Sequence, residues 1–295
     1  MRKIATIGVL TILFLAAIPV SILYASSNQE SVQITPKVSV KGPRAKGKPS
    51  KATATGVLGA PPPPPVNRWA VVIGISDYAG EANDIQYADD DALDMLDVLA
   101  AYGYPRDHIL LLISDYDENN ATKGEIIDAI YWLREREKSE SEVLFFYSGH
   151  GARGRANDGD GEGVDEAIVP YECTAGSLIW DGELKTMFSD FETSRIIFVF
   201  DSCYSGGMTD LKADGRIVVM ASSESGLSYE GEEWGNGQFT YYFADEGILQ
   251  GLADKYDQLE GVKDVVVEEA YDYAKSKCVY QTPTISDSFE NDLLP

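Results

Sequence analysis

The feature that most constrains this chain is a series of short apolar runs, each too short for a helix and rich in β-branched or aromatic residues. Trp69–Ser76, His108–Ser114, the run from Glu142 that ends at His150, Ile196–Phe200 and Arg216–Ser222 all read as strands. Helical patterns alternate with them. Asp89–Ala101 puts Ala92, Leu93, Met95, Leu96, Val98 and Leu99 at helical spacing, with its acids in the first turn. Thr122-Lys-Gly-Glu125 is a capping-box signature for a helix to about Glu137, with Ile126, Ile127, Ile130 and Leu133 on one face. Asp181–Phe188, Phe239–Leu249 and Val265–Lys277 also read as helices. Glu166–Pro170 reads as a short strand, and Thr282–Ser286 as a final edge strand. The alternation predicts an α/β fold: a mostly parallel central β-sheet with helices on both faces.

Two of these strands end in chemistry. Ile196-Ile-Phe-Val-Phe runs into Asp201-Ser202-Cys203, followed by Ser205, Gly206 and Gly207. Val143-Leu-Phe-Phe-Tyr-Ser-Gly runs into His150 and Gly151. Parallel strands expose their carboxyl ends on one sheet edge, so the imidazole and the thiol can meet there. A thiol with a pKa of roughly 8.5 is mostly protonated at neutral pH, and a neighbouring imidazole lets the thiolate form. The other histidine, His108, stands before a strand and has no chemical role. Gly149-His-Gly151-Ala-Arg-Gly154 fits the G-x-G-x-x-G string, but an acidic, glycine-rich stretch follows where the dinucleotide motif needs a helix, which rejects that reading.

The paired motifs Phe-Phe-Tyr-Ser-Gly-His-Gly151 and Phe-Asp-Ser-Cys-Tyr-Ser-Gly206 resemble those of caspase-like cysteine peptidases, of the metacaspase and prokaryotic caspase-homologue branch. The resemblance runs from about Asn67 to the end of the chain. It implies a caspase-like three-layer sandwich, with Cys203 as nucleophile, His150 as base, and the backbone N–H groups of Gly151 and Cys203 as oxyanion hole. Asp201 stands where caspases carry a Gln, and with a second acid from the helix after the first strand it implies a pocket for Arg or Lys. Asp91 fits that second place, with Asp90 a rival. Asp89–Asp91 also suit a helix start. The implied activity is endopeptidase cleavage of polypeptides after basic residues. A legumain-like enzyme with Asn preference and a non-catalytic caspase-like binding domain remain alternatives.

No cofactor is required for this chemistry, and calcium is the one ion the resemblance admits. Asp165, Asp181 and Asp210 fall where calcium-dependent relatives place carboxylates, while Gly182 departs from their Asp-Asp pair. A solvated acidic loop without metal reads as well. The loop from Asp158 to Glu166 is no EF-hand, because its twelfth position is Val169 where a Glu is needed.

Charge divides the chain. Residues 1–66 hold eight Lys and Arg against one acid, and the remainder holds sixteen against forty-seven. A body this acidic disfavours nucleic acid and suits basic peptide segments or divalent cations. Arg2 and Lys3 precede an apolar run from Ile4 to Ala25, an export signal that reads equally as a cleaved signal peptide or a membrane anchor. Either reading places the protein outside the cell or on its surface, touching membrane only through residues 4–25. Residues 26–66, with Lys37, Lys41, Arg44, Lys46, Lys48, Lys51 and the run Pro61–Pro65, read as a flexible, exposed linker that buries no core. Residues 67–295 then form the peptidase domain, expected as a monomer. The basic linker suits the expected specificity, so it is expected to occupy the active site or be cut by it as a pro-segment. Cys173 and Cys278 remain, and an exported protein allows them to pair.

Overall fold

A computed structural model describes residues 22–24, 32–40, 67–115, 121–156, 163–254 and 265–289. Along the chain, β1 (Ile22–Tyr24), β2 (Val32–Thr35) and β3 (Val38–Val40) precede β4 (Arg68–Ile75), α1 (Ala88–Ala101) and β5 (Ile109–Ser114). Next come α2 (Lys123–Arg134), β6 (Glu142–Ser148), β7 (Gly151–Gly154), β8 (Asp165–Ile168), β9 (Ile179–Trp180) and α3 (Asp181–Ser189). Then follow β10 (Ile196–Asp201), β11 (Arg216–Met220), β12 (Tyr229–Gly231) and β13 (Asn236–Gly237). The α4 segment (Gln238–Thr240) continues into a π-helical stretch, Tyr241–Leu249, before α5 (Val267–Lys277) and β14 (Thr284–Asp287).

The central sheet has the order β14-β11-β10-β6-β4-β5. All its pairings are parallel except that of the edge strand β14 with β11. Period-2 alternation along the strands sends side chains to two separate cores. Val71, Ile73, Phe145, Phe198 and Phe200 face α2 and α3, where Ile126, Ile130, Leu133, Leu184 and Phe188 meet them. Val72, Phe146, Val199 and Val219 face α1, the helix after β13 and α5, through Met95, Val98, Phe243 and Ala270. The fold is the expected α/β sandwich. The helix of Thr122 opens with the full capping box: Thr122 accepts from Glu125 N–H, and the Glu125 carboxylate accepts from Thr122 N–H at 2.9 Å.

After β4 the chain moves to one side through α1 and β5, then crosses back to place β6 on the other side of β4. Such a reversal opens a crevice at the carboxyl ends of the strands, where α/β folds seat ligands. Two small sheets wall this crevice. One has the order β1-β2-β7-β8-β9 and is antiparallel throughout, and the other has the order β13-β12-β3.

Both small sheets use residues from the expected linker, which corrects the reading of residues 26–66. Val32 and Ile34 are buried in the α2-side core, and Val38 is buried as well. Lys37, expected on an exposed tether, is 3% exposed. The stretch Val-Gln-Ile-Thr-Pro-Lys-Val-Ser-Val alternates apolar and polar residues, so it fills open strand edges on the body with its apolar side inward. Residues 41–66 lie outside the described residues, as do residues 4–21 of the expected export signal. Ile22–Tyr24, from the end of that run, pairs with Val32–Ile34. Among the described residues no helix is long and apolar enough to cross a membrane. Cys173 and Cys278 are free thiols, not a disulfide. Residues 151–154 form a strand and not a helix, in keeping with the rejected dinucleotide motif.

Candidate active site

The two chemistry-bearing strand ends are neighbours. β6 and β10 pair in parallel with Ser148 opposite Asp201, so His150 and Cys203 leave the same sheet edge side by side. Beyond Cys203 the chain turns sharply: Tyr204 sits in the left-handed region at φ 62°, and its N–H reaches the Gly226 carbonyl at 2.8 Å. Gly151 lies so close to Cys203 that a Cβ there would fall 1.7 Å from the Cys203 carbonyl oxygen, so only glycine fits. Its register partner in the ladder is Thr35.

His150 is buried and held from three sides. Its ring stacks on Tyr78 with centroids 4.1 Å apart, its backbone N–H donates to Tyr78 Oη at 2.8 Å, and Nε2 lies 2.6 Å from the Asn83 carbonyl oxygen. A nitrogen facing a carbonyl must carry the proton, so in the neutral ring Nδ1 holds the lone pair. Nδ1 is buried and has no hydrogen-bond partner. Burial is the main reason the imidazole is pushed down to about 4; the Asn83 carbonyl opposes this shift and the Lys37 charge adds to it.

Cys203 is also buried, and its thiol is pushed up to about 12, chiefly by burial. Its Sγ donates to the Pro36 carbonyl oxygen at 3.3 Å and accepts from Ser228 N–H at 3.2 Å. No hydrogen bond joins Cys203 directly to His150. Both groups are neutral in this arrangement, with the segment Val32–Val40 lying over them.

Asp201 and Asp91 face the same ammonium. Both are fully buried, and between them sits the Lys37 ammonium, 2.9 Å from Asp91 Oδ2 and 3.1 Å from Asp201 Oδ1. The ammonium donates hydrogen bonds to Asp91 Oδ2 and, at 2.8 Å, to Ser148 Oγ, and forms an ion pair with Asp201. The outer faces of the carboxylates are tied down too. Asp91 Oδ1 accepts from Asn236 Nδ2 at 3.2 Å and from Gly237 N–H at 2.8 Å. Asp201 accepts from Ser228 Oγ at 2.6 Å and from Thr240 Oγ1 at 2.7 Å. Burial pushes Asp91 up to about 7, against the opposing pull of Lys37, and the nearby Asp201 adds to the rise. Desolvation works to lower the Lys37 ammonium, and the two carboxylates override it and hold it above its usual range. Asp90, the rival to Asp91, is only partly buried.

Sequence reasoning missed several residues here. Tyr78 acts through its ring and hydroxyl, Asn83 through its main-chain carbonyl, and Ser228 through its N–H and its hydroxyl; all three lie far in sequence from the residues they hold, so no local pattern marks them. Gly237 lines the pocket: a Cβ there would lie 2.7 Å from Lys37 Nζ and 2.5 Å from Asp201 Oδ2.

The carboxylates considered for calcium are each engaged by other groups. Asp165 and Asp181 are buried near each other: Ala156 N–H donates to Asp165 at 2.7 Å, and Glu166 N–H to Asp181 at 3.4 Å. Asp210 instead pairs with Lys185 at 3.2 Å on the surface. Among the described residues no group of three or more His, Cys, Asp or Glu is placed to hold a metal ion. Asp158, Asp160 and Glu162 lie outside the described residues.

The arrangement has relatives. Residues 68–212 match the family model described as "Metacaspase, peptidase C14 domain". The chain is 32% identical over 190 residues to "Metacaspase-1" of Botryotinia fuckeliana, covering 55% of this chain and 45% of that protein. It is 33% identical over 150 residues to "Metacaspase-1A" of Aspergillus oryzae, covering 49% and 36% respectively. It thus spans less than half the length of these relatives. Among solved structures, the protein GSU0716 from Geobacter sulfurreducens superposes with a TM-score of 0.57 at 19% identity, over 76% of this chain and 94% of that one. Caspase-1 from Spodoptera frugiperda does so with a TM-score of 0.50 at 11% identity, over 85% and 96%. At these identities the likeness is one of fold.

Proposed function

Residues 68–212 match the metacaspase family, and from that premise we propose that this chain is a caspase-like cysteine-type endopeptidase of that family, cleaving polypeptides after Lys or Arg. The observation that carries the specificity is the Lys37 ammonium held between the buried carboxylates of Asp91 and Asp201. Two buried carboxylates facing one another need a cation between them, and a basic substrate side chain supplies it.

In this reading the Cys203 thiol gives its proton to His150 Nδ1, and Sγ attacks the carbonyl carbon of the bound Lys or Arg. The oxyanion is met by the N–H groups of Gly151 and Cys203. The C–N bond then breaks, the leaving amine takes the proton from Nδ1, and a thioester remains on Cys203. Water hydrolyses it, giving one proton to Nδ1 and releasing the new carboxylate; the proton then returns to the thiol. Asn83 keeps Nε2 protonated throughout, so Nδ1 is the nitrogen that exchanges the proton. Both reacting groups must regain contact with solvent before this begins, since burial holds them neutral.

The test is turnover of peptides carrying Lys, Arg, Asn or Asp on the acyl side, by the chain, by Cys203→Ala and by His150→Ala. The reading expects hydrolysis of the Lys and Arg peptides only, lost in both variants. Hydrolysis by Cys203→Ala would end the nucleophile assignment. Preference for Asn would favour a legumain-like enzyme, and binding with no turnover a non-catalytic domain.

A further inference from the structure

Lys37 fills the basic pocket, yet the backbone that carries it runs the wrong way for hydrolysis. To be cut after Lys37, the chain must release the nitrogen of Val38, and that nitrogen must take its proton from His150. The leaving side of a substrate therefore belongs on the His150 side of the cleft, along β7, which starts at the next residue. The acyl side then belongs along β12.

The segment has the two sides exchanged. Val32–Thr35, amino-terminal to Lys37, pairs antiparallel with β7, placing Thr35 opposite Gly151. Val38–Val40, carboxy-terminal to Lys37, pairs parallel with β12, placing Val38 opposite Tyr229. The Val38 N–H, the group that would leave, donates to the Ser228 carbonyl at 2.9 Å. The carbonyl oxygen that meets the Cys203 thiol belongs to Pro36, on the amino side of Lys37. Ser39 Oγ adds a bond to Glu230 on β12 at 3.1 Å, and Thr35 Oγ1 one to Tyr204 at 2.9 Å.

We propose that Val32–Val40 is a built-in inhibitor that offers a substrate-like lysine on a backward-running strand, closing the active site while itself escaping cleavage at Lys37–Val38. This rests on the reading of the site as a Lys- and Arg-specific peptidase. The direction of the strand separates recognition from hydrolysis: the pocket reads the side chain, and the reversed main chain denies His150 its leaving group. Activation is then displacement of the strand. A forward substrate replaces it by lying antiparallel to β12.

The experiment compares the full chain with Lys37→Ala, which empties the pocket, and with Val38→Pro, which removes the N–H given to Ser228. In both, turnover of a Lys peptide is expected to rise at least about 10-fold over the uncut chain, because losing a buried charge pair or a strand bond shifts the closed population by that order. The synthetic peptide Val-Gln-Ile-Thr-Pro-Lys-Val-Ser-Val, added to Lys37→Ala, is expected to inhibit competitively and to be recovered intact by mass spectrometry. Scission of that peptide between its Lys and Val, or turnover unchanged in both variants, overturns the proposal while leaving the peptidase reading standing. Lack of turnover of every Lys and Arg peptide by Lys37→Ala removes the peptidase reading, and this proposal with it.

Discussion

The ammonium of Lys37 lies 3.1 Å from Asp201, and both side chains are wholly out of solvent although they stand 164 positions apart in the chain. Asp91 completes the pocket from α1, the first helix of the domain. A charge held this way is stabilised only while its partners stay, because removing one leaves another uncompensated in a medium of low dielectric.

In the Lys37→Ala background, Asp201→Asn is therefore expected to lower kcat/KM for Lys and Arg peptides by about 30-fold or more, the lower end of the ~2–5 kcal/mol lost when a desolvated charge pair is broken. Steady-state kinetics on basic and uncharged peptides checks it. An equal loss on both kinds would mean damage around Cys203 and not a lost pocket.

Gly237→Ala probes the same pocket by volume. Gly237 has φ −61°, which alanine accepts, but its Cβ would press on Lys37 Nζ and on both carboxylates. With Lys37 in place the folded chain is expected to lose stability, roughly the 1–3 kcal/mol cost of overpacking, and in the Lys37→Ala background KM for Lys peptides is expected to rise about 10-fold. Unchanged kinetics would place the basic side chain elsewhere.

Acid is expected to weaken the closed form through His150. Its folded pKa, about 4, lies below the ordinary value of 6.5. Between those values the unfolded chain takes up a proton that the folded chain refuses, so this contribution to stability falls as pH falls. From pH 7 to pH 5 the loss is about 2 kcal/mol. Asp91, raised to about 7, works in the opposite direction over the same range, so wild type alone does not isolate the effect. Urea unfolding of Cys203→Ala beside the double variant with His150→Gln does. The double variant should lose about 2 kcal/mol less stability between these pH values, and equal losses would show His150 is not held neutral by burial.

Much of this was legible in the sequence where the physics is local. Apolar runs of five to eight residues could only be buried strands, and two of them ended in His150 and Cys203. Asp201 was legible because it ends the apolar strand two residues before the thiol. Asp91 was separable from Asp90 only once α1 turned one carboxylate inward and left the other partly exposed. The segment Val32–Val40 carried its own signal, with Val32 and Ile34, then Val38 and Val40, at strand spacing. Six Lys and Arg between residues 37 and 51 and the nearby prolines masked it. The direction in which that strand docks is a property of two sheet edges distant in sequence, β7 and β12, and no local pattern encodes it.

The most direct measurement is covalent capture. A peptide ending in lysine and carrying an acyloxymethyl ketone in place of the scissile bond reacts with a thiolate only when its side chain is seated in the basic pocket and its carbonyl carbon faces the sulfur. With Lys37→Ala, in which the pocket is open, one adduct per chain is expected by intact mass, mapped to Cys203 by peptide sequencing. Cys173 and Cys278 should stay unlabelled, and labelling should be at least about 30-fold slower when Asp201→Asn is added. An adduct on another cysteine, or labelling of Cys203 at a rate indifferent to Asp201, would contradict that expectation.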